Sequence, residues 1–150
     1  MTDSIRELIL AAFFTKISGV SGVTAYRNRD TGVPEDSLPA VVQRDGGMTR
    51  DYDGINELRV SVGIDVECYV DAATDALLGA AMSDLYARVT QAALSDRTLG
   101  GLAIDVIEAD EMMSDPVIDY GSTDKPNAAF TLFFVVSFSV NPGDPYSPAP

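Results

Sequence analysis

Leu58-Arg59-Val60-Ser61-Val62-Gly63-Ile64-Asp65-Val66-Glu67-Cys68-Tyr69-Val70 alternates without a break. Leu58, Val60, Val62, Ile64, Val66, Cys68 and Val70 share one side, and Arg59, Ser61, Gly63, Asp65, Glu67 and Tyr69 share the other. Side chains along a strand alternate with period two, so this stretch buries one face and leaves the other wet or against a partner. The same period returns in residues 129–140, where Phe130, Leu132, Phe134, Val136 and Phe138 fall on one face. Two long strands with one apolar face each need a layer of helices to cover them.

Both helices are readable. Ser4-Ile5-Arg6-Glu7 has the form of a capping box, and Ile5, Leu8, Ile9, Ala12, Phe13 and Ile17 follow at helical spacing until Gly19 and Gly22. That predicts a helix over about residues 4–18. Leu77, Leu78, Ala81, Met82, Leu85, Val89 and Ala92 predict a second helix, which Asp71 or Thr74 can cap and residues 96–101 end. Between the first helix and Leu58, residues 23–29 alternate as a strand. Residues 30–38 have loop chemistry, and residues 39–44 form another strand. Asp45-Gly46-Gly47 opens a polar stretch through Glu57, read as a long hairpin tip or a mobile functional loop. Beyond the second helix, strands are expected over 102–109 and 117–120, split by Asp115-Pro116. A turn at Asp124-Lys125-Pro126-Asn127 precedes the last long strand. The proline-rich residues 141–150 are expected to form a flexible or extended arm without regular structure. The order α-β-β-β-α-β-β predicts an α+β domain over 1–140: one mostly antiparallel sheet with two helices packed on one face.

Composition narrows the function. The chain of 150 residues carries a net charge of −13, unevenly spread: residues 1–60 sum to −2 and residues 61–150 to −11. Such an acidic balance argues against nucleic-acid binding as the main activity. No basic leader and no apolar run of membrane-spanning length is seen, so the expected setting is the cytoplasm of a bacterial-type cell. The sequence contains no histidine and one cysteine, Cys68, which sits among apolar neighbours and reads as an inert buried thiol. Histidine triads and cysteine-based zinc sites are thereby excluded. Gly46-Gly47 and Gly100-Gly101 are turn glycines with no phosphate-binding lysine behind them.

Carboxylates and arginines remain. Asp65 and Glu67 lie two apart on one strand face, and Asp105, Glu108, Asp110, Glu111, Asp115 and Asp119 crowd the next acidic region. A metal-dependent nuclease would use such groups with a neighbouring lysine, but only Lys16 and Lys125 exist and neither is suitably spaced. The expectation is therefore of a protein with no catalytic residues, no cofactor and no metal. Arg27, Arg29, Arg44, Arg50 and Arg59 fall on or beside the first three strands. With Asp65 and Glu67 they are the candidate subunit-interface residues. Pairing of these arginines with the acidic half, within or between subunits, suits head-to-tail contacts that close into a ring. Arg27 and Arg29 are assigned to one strand face, so reversing both to glutamate is expected to weaken assembly and leave the fold intact.

The N-terminal amphipathic helix is followed by Tyr26-Arg27-Asn28-Arg29 and then Leu38-Pro39-Ala40-Val41-Val42. Near the end come Phe130-Thr131-Leu132-Phe133-Phe134 and Asn141-Pro142-Gly143-Asp144-Pro145. In this order the pieces resemble the tail terminator proteins of long-tailed phages and phage-derived particles, related to the minor tail protein U group. The likeness spans nearly the whole chain as an order of elements. It implies a homo-hexameric ring at the top of the virion tail, assembled in the host cytoplasm, with no membrane partner. Such a ring caps the major tail tube protein, ends polymerisation and presents a surface to the neck or head-completion protein. The resemblance also implies a flexible assembly loop, matched here by Asp45, Gly46, Gly47, Arg50, Tyr52 and Asp53. DNA would pass through the lumen without specific binding, and Asp105, Glu108, Asp110 and Glu111 are the acidic lumen candidates. A neck or head–tail joining protein, or a tail-tube subunit, is the alternative; a carboxylate-dependent metal nuclease is the remote one.

Overall fold

The computed structural model describes residues 2–120 and 125–149. Helix α1 (Ile5–Ser18) leads into β1 (Thr24–Arg27), β2 (Ala40–Asp53) and β3 (Leu58–Asp71). Helix α2 (Asp75–Ala93) follows, then β4 (Asp105–Met113), β5 (Val117–Asp119), β6 (Asn127–Asn141) and β7 (Asp144–Pro148). The sheet runs β1-β2-β3-β6-β4 and is antiparallel except for β1 against β2. This is the α+β single-sheet architecture expected from the alternation in residues 58–70 and 129–140.

The strand β3 aligns with β6 along its whole length, from Leu58 opposite Val140 to Asp71 opposite Asn127. That register puts Val62 beside Val136, Ile64 beside Phe134 and Val66 beside Leu132, all buried. A slip of one residue would turn both apolar sets to the other face, so burial fixes the pairing. Helices α1 and α2 cover this face together, with Ile9, Phe13, Ile17, Leu78, Leu85 and Val89 in one core with the strands. On its far side β6 is bordered by three short strands. β5 pairs with residues 127–129, β4 with residues 132–137, and β7 with Val140 and Asn141.

Several expectations need correction. Of the two readings of residues 45–57, the mobile loop falls and the hairpin stands: Asp45 to Asp53 continues β2 and stays paired with β3 up to Asp53 opposite Leu58. Only Gly54 to Glu57 forms the turn, closed by the Gly54 amide donating to the Glu57 carbonyl at 2.7 Å. Polar composition leaves the choice open because residues 47–53 of β2 are exposed on both faces, while their backbone partners are supplied by β3. The tail also forms regular structure: the Pro142-Gly143 turn, with Gly143 at φ 77°, returns Asp144–Pro148 onto β6 as β7. Proline is tolerated there because the strand lies at a sheet edge. The first strand ends at Arg27, since Asn28 takes φ 52°, and it runs parallel to β2. Only half of the capping box forms: the Ser4 hydroxyl accepts from the Glu7 amide, while the Glu7 carboxylate turns to Arg27. Thr74 occupies the N-cap position of α2 without a side-chain bond. The expected turn at Asp124–Asn127 falls partly outside the described residues.

One glycine is required by close approach. Asp45 pairs with Ile64 and Met48 with Val62, so Gly46 and Gly47 together face Gly63 in a bulge. A Cβ on Gly46 would strike the Gly63 carbonyl, whereas one on Gly47 meets nothing within 4 Å. Gly46→Ala is expected to cost about 1–3 kcal/mol through the forced backbone shift, and Gly47→Ala far less. Urea unfolding followed by far-UV circular dichroism checks the contrast; equal effects would contradict the bulge.

Candidate assembly surfaces

Arg27 projects from β1 toward α1. Its guanidinium grips both Glu7 oxygens at 2.8 Å and donates to Asp45 Oδ2 at 2.9 and 3.1 Å. Asp45 accepts further bonds from Asn28 and from the buried Gln43, whose Nε2 also donates to the Leu10 carbonyl. This network ties α1, β1 and β2 at the start of the bulge, where Arg6 adds a bond to the Gly46 carbonyl. The Arg27 hydrogen bonds hold the Glu7 carboxyl below its ordinary range. Burial pushes Asp45 up, but donation from Gln43, Arg27 and Asn28 outweighs it and leaves that carboxyl lowered.

The other candidate arginines are also engaged within the chain. Arg29 donates to the Gly32 carbonyl and lies over the Tyr26 ring at 4.4 Å. It lies beyond the end of β1, with the left-handed Asn28 between, so Arg27 and Arg29 do not share a strand face as expected. Arg44 pairs with Glu67, Arg50 with Asp53 and Arg59 with Glu57. These pairs need no second subunit, and most join groups within the first sixty residues. Exposed pairs of this kind are individually worth about 0–1 kcal/mol.

On the uncovered face of the sheet, Asp65 and Glu67 do lie side by side, as the alternation required. Glu67 is occupied by Arg44 and by the Tyr69 hydroxyl at 2.9 Å. Desolvation, with the Glu67 charge beside it, raises the Asp65 carboxyl. Burial and the bond to Glu67 push the Tyr69 phenol up to about 12. Burial also raises the Cys68 thiol, which points into the core. Among the described residues no group of three or more carboxylate or thiol side chains is placed to hold a metal ion.

The acidic lumen candidates are divided by the geometry. Asp105 opposes Ser137 on the uncovered side and is gripped by Arg97 through two bonds of 2.7 Å. Glu108 opposes Phe134 and so projects from the other side of β4. Asp110 and Glu111 occupy the irregular stretch between Glu108 and Met113, where the pairing with β6 shifts register.

What charge counting did not reveal is an apolar border beside these acids. Ile104, Ile107, Met112, Met113, Val117, Ile118 and Tyr120, on β4, β5 and the chain beside them, are all exposed. Its signal in the sequence is weak: apolar residues scattered among acids with neither strand nor helix period. A second exposed group, Met48, Tyr52 and Ile55, sits at the β2–β3 hairpin end. Next to it, Met48, Leu58, Val60, Phe138, Val140 and Pro145 line an apolar hollow of about 260 Å³. No helix among the described residues is long and apolar enough to cross a membrane. The chain matches no protein-family model and no characterised protein sequence.

Proposed function

We propose that this chain is a structural subunit that forms a ring on the tail tube of a long-tailed phage or phage-derived particle. The ring ends tube growth and offers the surface that joins the neck. The observation that carries this reading is the apolar border on β4 and β5, at an outer edge of the sheet. A strand edge offers unpaired amides and carbonyls, and soluble proteins guard such edges with charge or cover them. Here the edge carries large apolar side chains in the open, the kind of border that a neighbouring subunit covers. The resemblance in element order supports the same assignment, and the acidic second half suits a passage that must not hold DNA.

Native mass spectrometry of the purified chain, alone and with a major tail tube protein of a long-tailed phage, tests the proposal. The expected result is one closed ring species, six subunits in mass, and arrest of tube elongation on addition. Open-ended polymerisation would instead assign a tube subunit. Cleavage of plasmid DNA with Mg²⁺, lost in Asp65→Ala, would replace the structural reading with a nuclease.

A further inference from the structure

The helix layer does not cover the whole inner face of the sheet. At the end where β2 and β3 join, Leu58 opposes Val140, Val60 opposes Phe138 and Met48 opposes Val62. Directly opposed residues share a face, and here it is the face on which α1 and α2 pack. Met48, Leu58, Val60, Phe138 and Val140 line the hollow of about 260 Å³ from that one face. Among the described residues Arg6, in the first turn of α1, is the only helical residue on its wall, and the turn between β6 and β7 forms another side. Val60, Phe138 and Val140 are themselves buried, so the floor is a packed apolar surface rather than loose side chains.

Arg6 stands apart from the other arginines. Arg27, Arg44, Arg50, Arg59, Arg88 and Arg97 each grip a carboxylate, and Arg29 lies over Tyr26. Arg6 makes no ion pair among the described residues, although the chain carries 23 acidic side chains against 10 basic ones. One N–H of its guanidinium donates to the Gly46 carbonyl at 2.7 Å, which holds the group at the hollow and leaves further donors over.

We propose that this hollow binds a small monocarboxylate with an apolar tail of roughly eight to ten carbons. The carboxylate sits on Arg6 and the tail lies over Val60, Phe138 and Val140. This binding does not depend on the ring reading. Size sets the tail: an apolar cavity of about 150 Å³ takes benzene, so the larger hollow takes about ten carbons by proportion. An apolar pocket with a few polar groups that fix orientation is the usual form of a small-molecule site. The planar fork of an arginine matches a carboxylate and favours it over other heads. Asp144, also on the wall, accepts from the Tyr146 amide at 3.1 Å and disfavours a second negative group, which limits the ligand to one anionic head.

Octanoate, octanol and octylammonium share a tail and differ in the charge of the head, and methyl NMR of the whole chain reads their binding. Octanoate is expected to shift the methyl signals of Met48, Leu58, Val60 and Val140 saturably, with a Kd near the millimolar range for about ten heavy atoms. It should bind about fivefold tighter than octanol, the worth of one partly exposed charge pair, and tighter still than octylammonium. Arg6→Gln should abolish that preference while octanol still binds, and Arg6→Lys should restore part of it. A merely structural role for Arg6 would weaken all three ligands alike. Should Arg6→Gln fail to fold, the three heads on the wild type decide. No shift of these methyls, equal affinity for the three heads, or a preference that survives in folded Arg6→Gln would overturn the site. Tightest binding of octylammonium would overturn it too, by giving the head to Asp144. Methyls that shift on self-assembly and then ignore octanoate would mean that a neighbouring subunit fills the hollow; the ligand site falls and the ring reading stands. A chain that stays monomeric and binds octanoate as expected defeats the ring reading and keeps the site.

Discussion

Arg27→Glu will lower the free energy of unfolding by about 2–3 kcal/mol, while Arg29→Glu will change it by less than about 1 kcal/mol. Both are exposed-looking arginines two residues apart, yet their surroundings differ. Arg27 carries four hydrogen bonds to two carboxylates, one of them, Asp45, only 11% exposed. A glutamate there would face Glu7 and Asp45 with like charge and leave both carboxylates without their main cation. Arg29 loses only a loop carbonyl and its place over Tyr26. Reversing both residues is therefore not a clean probe of assembly, contrary to the expectation from the sequence. Urea unfolding of the two single variants measures the contrast, and comparable losses would refute the network.

The same network sets an acid dependence. Glu7 and Asp45 are both lowered in the fold. A carboxyl lowered by folding contributes stability above its unfolded value, near pH 4, and loses it as the pH falls through the folded value. Asp65, which is raised, acts in the opposite sense and favours the fold slightly on protonation. Stability of the wild type should therefore fall between about pH 5 and pH 2. In Asp45→Asn that fall should be shallower, with lower stability at neutral pH. An unchanged slope in the variant would place the acid sensitivity elsewhere.

Phe134→Ala will cost about 3–5 kcal/mol, and Phe133→Ala about 1 kcal/mol or less. The two residues are neighbours on β6 with opposite fates. Phe134 is buried against Ile64 in the register and meets the Phe13 ring of α1 at 5.4 Å between centroids, tilted by 56°. Its removal opens a cavity where the sheet meets the first helix, and close-packed neighbours relax only in part. Phe133 opposes Asp65 on the uncovered face and stays partly in contact with water. Denaturant midpoints of the two variants test the assigned faces directly. A larger loss from Phe133→Ala would mean that β6 presents its other side to the helices.

Much of this fold was legible because periodicity is local. The alternation in residues 58–70 and 129–140 gave both long strands, and the apolar spacing from Ile5 to Ile17 gave the first helix. Residues 45–53 were legible only as one of two alternatives, hairpin or mobile loop: their partner, β3, lies across a turn, and glycines and acids carry the same composition in a bulged strand as in a loop. The tail was misread for a similar reason, since a short edge strand with prolines is regular only in the presence of the strand it borders. Site residues were harder still. Arg27, Glu7, Asn28, Gln43 and Asp45 are spread over nearly forty positions, and nothing in their spacing announces that Asp45 gathers three of them and Arg27 brings in Glu7.

By itself, the order of amino acids determined the class of fold, which face of each long strand turns inward, and the lack of histidine chemistry. These follow from period, from size and from the inventory of side chains, none of which depends on distant neighbours. Only the tertiary structure decided which arginines are internal braces and that the acids of β4 face in different directions. It alone decided that two apolar groups, at the hairpin and at the far border, are left in the open. Partners and exposure are properties of positions in space, and the chain brings those positions together only when β3 and β6 have paired and the helices have closed over them.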